Sequence, residues 1–251
     1  GVFAPLIQAA FGEGGESGTT GAGGAKIPTT IHDLGVRVQN PMADALLRVL
    51  ALVGGRLTAS AFLEFCSIEP VRRRFALDDA AIADIRNWLV AAGARWGATA
   101  GERANSGSLA QHEFTFAFAL DRLALGVVVP HHTYVDGSSA TWQGCSPFDE
   151  AEGGQNTFGQ LAEILARLET WRVRLAGPLS VGDWVERLLA ALDDIAVPAR
   201  KAGFLRAEVV ATLETIRANA ASFAPLLSIE AFSQLLTGQF DMSRGGDRPA
   251  T

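Results

Sequence analysis

The sequence predicts a mainly α-helical fold with minimal β structure. Three observations carry this expectation. Apolar residues recur three and four positions apart along most of the chain. Several of these runs open on a residue whose side chain can accept from free helical amides, namely Asn40, Thr58, Asp78, Ser180 and Ser228. One stretch, residues 27–31 (IPTTI), has the β-branched ends of a short strand.

In order along the chain, residues 3–11 (FAPLIQAAF) read as an apolar helix stopped by Gly12. Residues 12–24 (GEGGESGTTGAGG) have no apolar periodicity and read as a flexible surface loop. Asn40-Pro41 opens the next helix, because asparagine caps the amides and the fixed φ of proline suits the first turn. Met42, Leu46, Leu47, Val49, Leu50 and Val53 form its inward face, and Gly54-Gly55 ends it. Thr58 caps a short helix through Phe62, Leu63 and Phe65. Asp78 opens a longer one with Ile82, Ile85, Trp88 and Leu89 inward and Gly93 as its stop. Residues 98–112 read as a polar loop, 114–129 as a buried helix interrupted by Asp121 and Arg122, and 130–154 as irregular. Asn156 starts a long helix through Leu161, Leu165, Leu168, Trp171 and Leu175. Ser180 and Asp183 resemble a capping box ahead of Trp184, Leu188, Leu189 and Leu192. Further helices are expected over 198–221 and from Ser228 to Gly238, followed by a frayed polar tail over 241–251.

Composition bounds the function. At 251 residues and 48% apolar, the chain can bury a full core. A charged fraction of 19% with a positive mean hydropathy is the opposite of the balance a disordered chain shows, and a net charge of -6 excludes a domain that coats nucleic acid all over. Nucleic-acid contact would need a local arginine patch. Cys66 and Cys145, far apart in sequence, make neither a disulfide framework nor a zinc ligand set and suit a reducing cytoplasm. No apolar run is long enough for a membrane span, so no membrane partner is expected. The opening residues read as mid-domain sequence, so the chain is expected to be a piece of a longer protein.

The motifs that would carry chemistry fail their templates. Residues 18–26 (GTTGAGGAK) lack the Ser or Thr that follows lysine in a phosphate loop, since Ile27 stands there. His131, His132 and Asp136 lack the helical spacing of a zinc motif, and a solvated loop is the simpler reading. His112, beside an apolar helix, is expected to be a hydrogen-bonded packing residue. The acid pair Asp78-Asp79 suits a helix start, and Asp193-Asp194 is expected to be solvated near a helix end. Hence no catalytic, metal or cofactor residue is assigned. Arg72, Arg73 and Arg74 form the densest positive run and could grip phosphate or an acidic partner, or simply pair with nearby acids. Arg86 and Arg95 extend that candidate set. Trp88, Trp171 and Trp184 fall on apolar helix faces, whereas Trp142 lies in a loop and is the open candidate for a contact.

Several blocks together resemble RecC, the gamma subunit of bacterial exodeoxyribonuclease V. They are FAPLIQAAFG at 3–12, NPMADALLRVLAL at 40–52, RLTASAFLEF at 56–65, PVRRRFALDDAAIADIRNWLVAAGARWG at 70–97, QHEFTFAFALDRLALG at 111–126, SPFDEAEG at 146–153 and TWRVRLAG at 170–177. The resemblance is looser beyond residue 198. It implies a piece of a helicase-like region that has lost its catalytic residues. Residues 1–53 would begin a degenerate second motor domain, 54–240 would form the helical subdomain inserted into it, and 241–251 a tail. Gln39 would stand where an active motor has its phosphate-reaching arginine, with Pro41 in place of an acid; a shift of register would bring Arg37 there instead. Departures include Thr29 and Leu34, where family members often carry Tyr and Arg.

The resemblance further implies a non-catalytic structural, DNA-channel and partner-docking role in ATP-dependent processing of double-strand DNA ends. Its partners would be the beta and alpha subunits and DNA, with ATP and magnesium held by other subunits, and the isolated piece would be monomeric. The alternative is an autonomous DNA-binding helical domain using its arginines.

Overall fold

The computed structural model describes residues 40–128, 145–148, 154–220 and 225–242. The architecture is mainly α-helical. The helices are α1 (Pro41–Gly54), α2 (Ala59–Cys66), α3 (Glu69–Arg74), α4 (Asp79–Ala91), α5 (Ala100–Asn105), α6 (Phe116–Val128), α7 (Gln155–Arg174), α8 (Val181–Ile195), α9 (Gly203–Asn219) and α10 (Ile229–Met242). A two-residue pair, β1 (Leu179–Ser180) with β2 (Leu226–Leu227), is antiparallel, with Leu179 opposite Leu227. It joins the start of α8 to the start of α10. The segments at 3–11, 12–24, 27–31, 130–144 and 243–251 discussed above lie outside the described residues.

Helix α1 sits at the centre. Nine of its fourteen residues are buried, on more than one face, as expected of a helix surrounded by others. It packs against α2, α3, α7, α8, α9 and α10. Its cap is used at both ends of the amide. Asn40 Oδ1 accepts from Met42 N at 2.9 Å and Ala43 N at 3.2 Å, while Nδ2 donates to Leu205 O at 2.8 Å and Glu208 Oε2 at 3.0 Å. One side chain therefore starts α1 and fastens it to α9. The apolar residues on either side of residue 54 belong to one hydrophobic cluster. Within it Trp184 stacks on Phe232 with ring centroids 5.1 Å apart, and its indole N–H donates to Leu227 O at 2.9 Å.

The caps at Thr58, Asp78 and Ser180 form as the sequence predicts. Three elements differ from expectation. The polar stretch 98–112 contains α5, capped by Thr99, whose one buried residue is the charged Arg103. Helix α9 begins at Gly203 rather than 198: Val197 N donates to Pro70 O at 3.0 Å, and the residues that follow make a separate turn closed by Ala202 N to Ala199 O at 2.8 Å. Helix α10 does not stop at Gly238 but continues to Met242. Phe232, Leu236 and Phe240, four residues apart and fully buried, carry it across the glycine.

Candidate functional site

The three consecutive arginines lie on α3, a six-residue helix between the core and the start of α4. Their guanidiniums are engaged within the domain. Arg72 donates to Leu77 O at 3.2 Å and pairs with Asp79 at 2.6 Å. Arg73 pairs with Glu69 one turn back. Arg74 Nε donates to Asp194 O at 2.9 Å, across to the end of α8. A shallow depression beside them is lined by Ser67, Glu69, Arg72, Arg73, Ala76, Leu77 and Asp78.

Asp194 departs from the expected solvated acid. Its side chain is 28% exposed. It accepts from Trp171 Nε1 at 2.9 Å and from Arg167, with Arg74 Nη2 3.9 Å away. The guanidiniums of Arg74 and Arg167 lie 5.7 and 5.8 Å from the ring of Phe75. Two cations thus share one aromatic ring, and the opposing charge comes from Asp194 together with Glu163, which pairs with Arg167 at 2.7 Å. Its neighbour Asp193 is more exposed and forms a two-pronged pair with Arg206 at 2.7 and 2.8 Å.

Three of the blocks that carry the resemblance, those at 70–97 and 111–126 and the described residues 146–148 of the block at 146–153, meet in space. Arg95 N donates to Phe114 O, Phe116 N to Gly97 O and Ala117 N to Ala98 O, so the strip 95–98 is stitched to the entry of α6. Phe148 N donates to Arg122 O, and Arg122 Nε donates to Ser146 O at 3.1 Å. A second arm of Arg122 reaches Ala92 O at 3.0 Å, at the end of α4. Gly126 is required here, since a Cβ would lie 1.8 Å from Phe148 O.

Arg103 is the pivot of this junction. Its residue is 4% exposed. The five N–H donors of a guanidinium match five bonds to carbonyls: Nε to Trp96 at 3.2 Å, Nη1 to Gln111 at 3.3 Å and Glu113 at 2.8 Å, and Nη2 to Trp96 and Phe114 at 2.8 Å each. Phe114 has φ 66°, a left-handed conformation uncommon for a large side chain. That conformation is sustained while its carbonyl serves both Arg103 and Arg95 N. Gly97, at φ 78°, lies where a Cβ would press on Arg103 Cγ at 3.1 Å.

On the outer side of the same junction, Arg56 and Arg95 are exposed. The Arg56 guanidinium lies 5.1 Å from the ring centroid of half-buried Trp96, and that of Arg95 5.9 Å from the ring of Phe114. The pairs are joined by backbone bonds, Ala59 N to Arg95 O and Gly97 N to Leu57 O. Arg86, exposed on α4, makes no hydrogen bond or ion pair with another described residue. Trp142, His131, His132, Asp136 and Gln39 lie outside the described residues. Sequence reasoning missed Arg56 and Arg103, and left Trp96 unassigned among the tryptophans that could stack on bases, because each gains meaning only from partners brought in by the fold.

Three ligand-bearing side chains also come together beside α6: His112, Asp121 and Cys145. His112 differs from the expected packing residue, with its side chain 46% exposed, its ring edge-on to Phe118 and its Nε2 3.4 Å from Asp121 Oδ2. Burial pushes the Cys145 thiol up, and the nearby carboxylates of Asp121 and Glu113 push the same way against the pull of Arg122. Burial alone pushes the Cys66 thiol up strongly in the core.

The described residues thus define a mainly helical domain. Its buried guanidiniums hold carbonyls and carboxylates of the domain itself, and a short basic–aromatic edge faces outward. The chain belongs to the family of the RecBCD enzyme subunit RecC fourth domain, whose model matches residues 39–244. It is 30% identical to the RecBCD enzyme subunit RecC of Mycolicibacterium smegmatis over 78% of this chain and 18% of that protein. The RecC of Mycobacterium tuberculosis strain H37Rv is 28% identical over 94% of the chain and 21% of its own length. That of Escherichia coli K12 is 26% identical over 73% of the chain and 15% of its own length. The chain therefore spans about a fifth of the length of these relatives or less. No helix among the described residues is long and apolar enough to cross a membrane.

Proposed function

We propose that this chain is a non-catalytic structural part of a RecC-type subunit, supporting its beta and alpha partner subunits and bordering a DNA strand path. In this reading the complex processes double-strand DNA ends, with ATP and magnesium bound by the other subunits. The observation that carries the strand contact is the edge formed by Arg56 on Trp96 and Arg95 on Phe114. Guanidiniums beside aromatic faces suit phosphates and unstacked bases together. The internal pairing of Arg72, Arg73 and Arg74 and the net charge of -6 weigh against the alternative of an autonomous DNA-binding domain.

The test places Arg56→Ala with Arg95→Ala in the whole subunit, assembled with its partners. Gel filtration should show intact assembly. Anisotropy on a labelled forked DNA should show weaker binding. The slope of log affinity against log salt should fall by roughly 0.7 for each single-strand phosphate that is no longer neutralised. Arg73→Ala should leave both unchanged. Unaltered affinity and salt slope in the double variant would remove the strand-path reading, and loss of assembly would reassign the edge to partner docking.

A further inference from the structure

His112, Asp121 and Cys145 come from three separate pieces of chain: the turn before α6, α6 itself and the 145–148 segment. Their ligand atoms all lie within 4.8 Å of one another. In a tetrahedral zinc site, bond lengths of about 2.0–2.3 Å place ligand atoms roughly 3.3–3.8 Å apart. The His112–Asp121 separation of 3.4 Å already matches one edge. The remaining edges need closure of about 1 Å, which side-chain rotation supplies. The only other cysteine, Cys66, is buried in the core away from such a group.

The backbone that holds these side chains is braced. Gln111 and Glu113, on either side of His112, both give their carbonyls to Arg103. Thr115 Oγ1 donates to His112 O at 2.6 Å. Ser146, next to Cys145, gives its carbonyl to Arg122. Such bracing is the support a metal site needs to keep its ligands in place. Cys145 is 3% exposed, whereas the His112 and Asp121 side chains are 46% and 56% exposed. The thiol therefore lies at the bottom and the two harder ligands at a mouth open to solvent.

We propose that His112, Asp121 and Cys145 form a binding site for a divalent cation of the zinc class, which staples the turn before α6, α6 and the 145–148 segment together. A set of thiolate, imidazole and carboxylate favours zinc over magnesium or calcium, which prefer all-oxygen ligands. A fourth position stays open to water. Binding transfers the Cys145 thiol proton to solvent, and His112 ligates through an unprotonated ring nitrogen beside the Asp121 carboxylate. The site stands independently of the DNA-processing role proposed above.

The test uses the full 251-residue chain, stripped with chelator under a phosphine reductant and titrated with cobalt(II) as a zinc surrogate. The expected result is one cobalt per chain, a thiolate-to-cobalt charge-transfer band in the near ultraviolet and displacement by zinc. Zinc should also raise the thermal midpoint. Cys145→Ser should abolish the charge-transfer band, and Asp121→Asn, at an exposed position, should weaken binding at least tenfold. Cys66→Ala should keep the band. Far-UV circular dichroism checks that each variant is folded, and Asp121→Asn decides the matter if Cys145→Ser loses helicity. A wild-type chain without the charge-transfer band overturns the proposal. So does metal retained by both Cys145→Ser and Asp121→Asn, which would place it on other groups such as His131 and His132.

Discussion

Replacing Arg103 by alanine removes a guanidinium that saturates five donor positions against four main-chain carbonyls. Hydrogen bonds to charged groups contribute about 1.5–3 kcal/mol each, and a buried carbonyl left without a donor costs about 1–3 kcal/mol. These terms do not add, because the desolvation of the buried cation is relieved at the same time. Removal of one partner from a buried charged network costs about 3–5 kcal/mol. We expect Arg103→Ala to fall in that range, a large share of the stability of a domain this size. In thermal unfolding followed by circular dichroism, about 4 kcal/mol corresponds to a drop in Tm of roughly 8–16 °C. Arg103→Met restores the aliphatic stem beside Gly97 but none of the donors. It should therefore recover only the packing share and stay well below wild type. Arg103→Lys keeps the charge, yet its three donors radiate from one point and cannot reach the same fan of carbonyls. Hydrogen exchange should rise first at Arg95, Phe116 and Ala117, whose amides bond across this junction. A loss below about 1 kcal/mol in Arg103→Ala, or lysine behaving as wild type, would refute the reasoning that carbonyl clamping by Arg103 holds these segments together.

Three further outcomes follow from named contacts. Asp194→Ala should cost about 1–3 kcal/mol in urea unfolding, since it leaves the Trp171 indole N–H without its acceptor and takes from Arg167 one of its two carboxylates, Glu163 remaining; Asp193→Ala, which breaks a more exposed pair, should cost under about 1 kcal/mol. Gly238→Ala should stabilise by about 0.5–1 kcal/mol, because the position is inside α10 and an added Cβ meets nothing within 4 Å. The Glu230 carboxyl is held below the ordinary glutamate range by a hydrogen bond with Ser228 and then by its own backbone amide. Its contribution to stability is therefore present above the unfolded glutamate pKa and is lost as pH falls through the depressed folded value. A carbon-detected NMR titration should place its midpoint below that of a free glutamate, and Ser228→Ala should move it back up.

The parts legible in the sequence are those written locally. Asn40, Thr58, Asp78 and Ser180 act on amides two or three residues ahead, so their caps can be read without the fold. Apolar spacing likewise places Trp88, Trp171 and Trp184 inward. Helix α5 was hidden because its sequence, AGERAN, has no apolar face; its buried residue is an arginine whose partners come from 96 and 111–114. The second use of Asn40, on α9, depends on a partner 165 residues away. The same holds for Asp194, whose surroundings come from α3 and α7 rather than from its own helix. The blocks at 70–97, 111–126 and 146–153 are among those that carry the resemblance, but the sequence does not show that the first two and residues 146–148 pack on one another through Gly126, Arg122 and Phe114.

The central position of α1 has a consequence for the order in which this chain can mature on the ribosome. Among the described residues, the last of its neighbours in the chain is α10, whose Ile229 meets the end of α1 so closely that a Cβ on Gly54 would lie 2.9 Å from it. At synthesis rates of about 5–20 residues per second, roughly 10–40 s separate the emergence of these two helices. Through that interval a nearly all-apolar segment awaits its last neighbour. A nascent chain cut short before Ile229 would leave that face open to capture by chaperones or to self-association, which makes α10 a latch on α1.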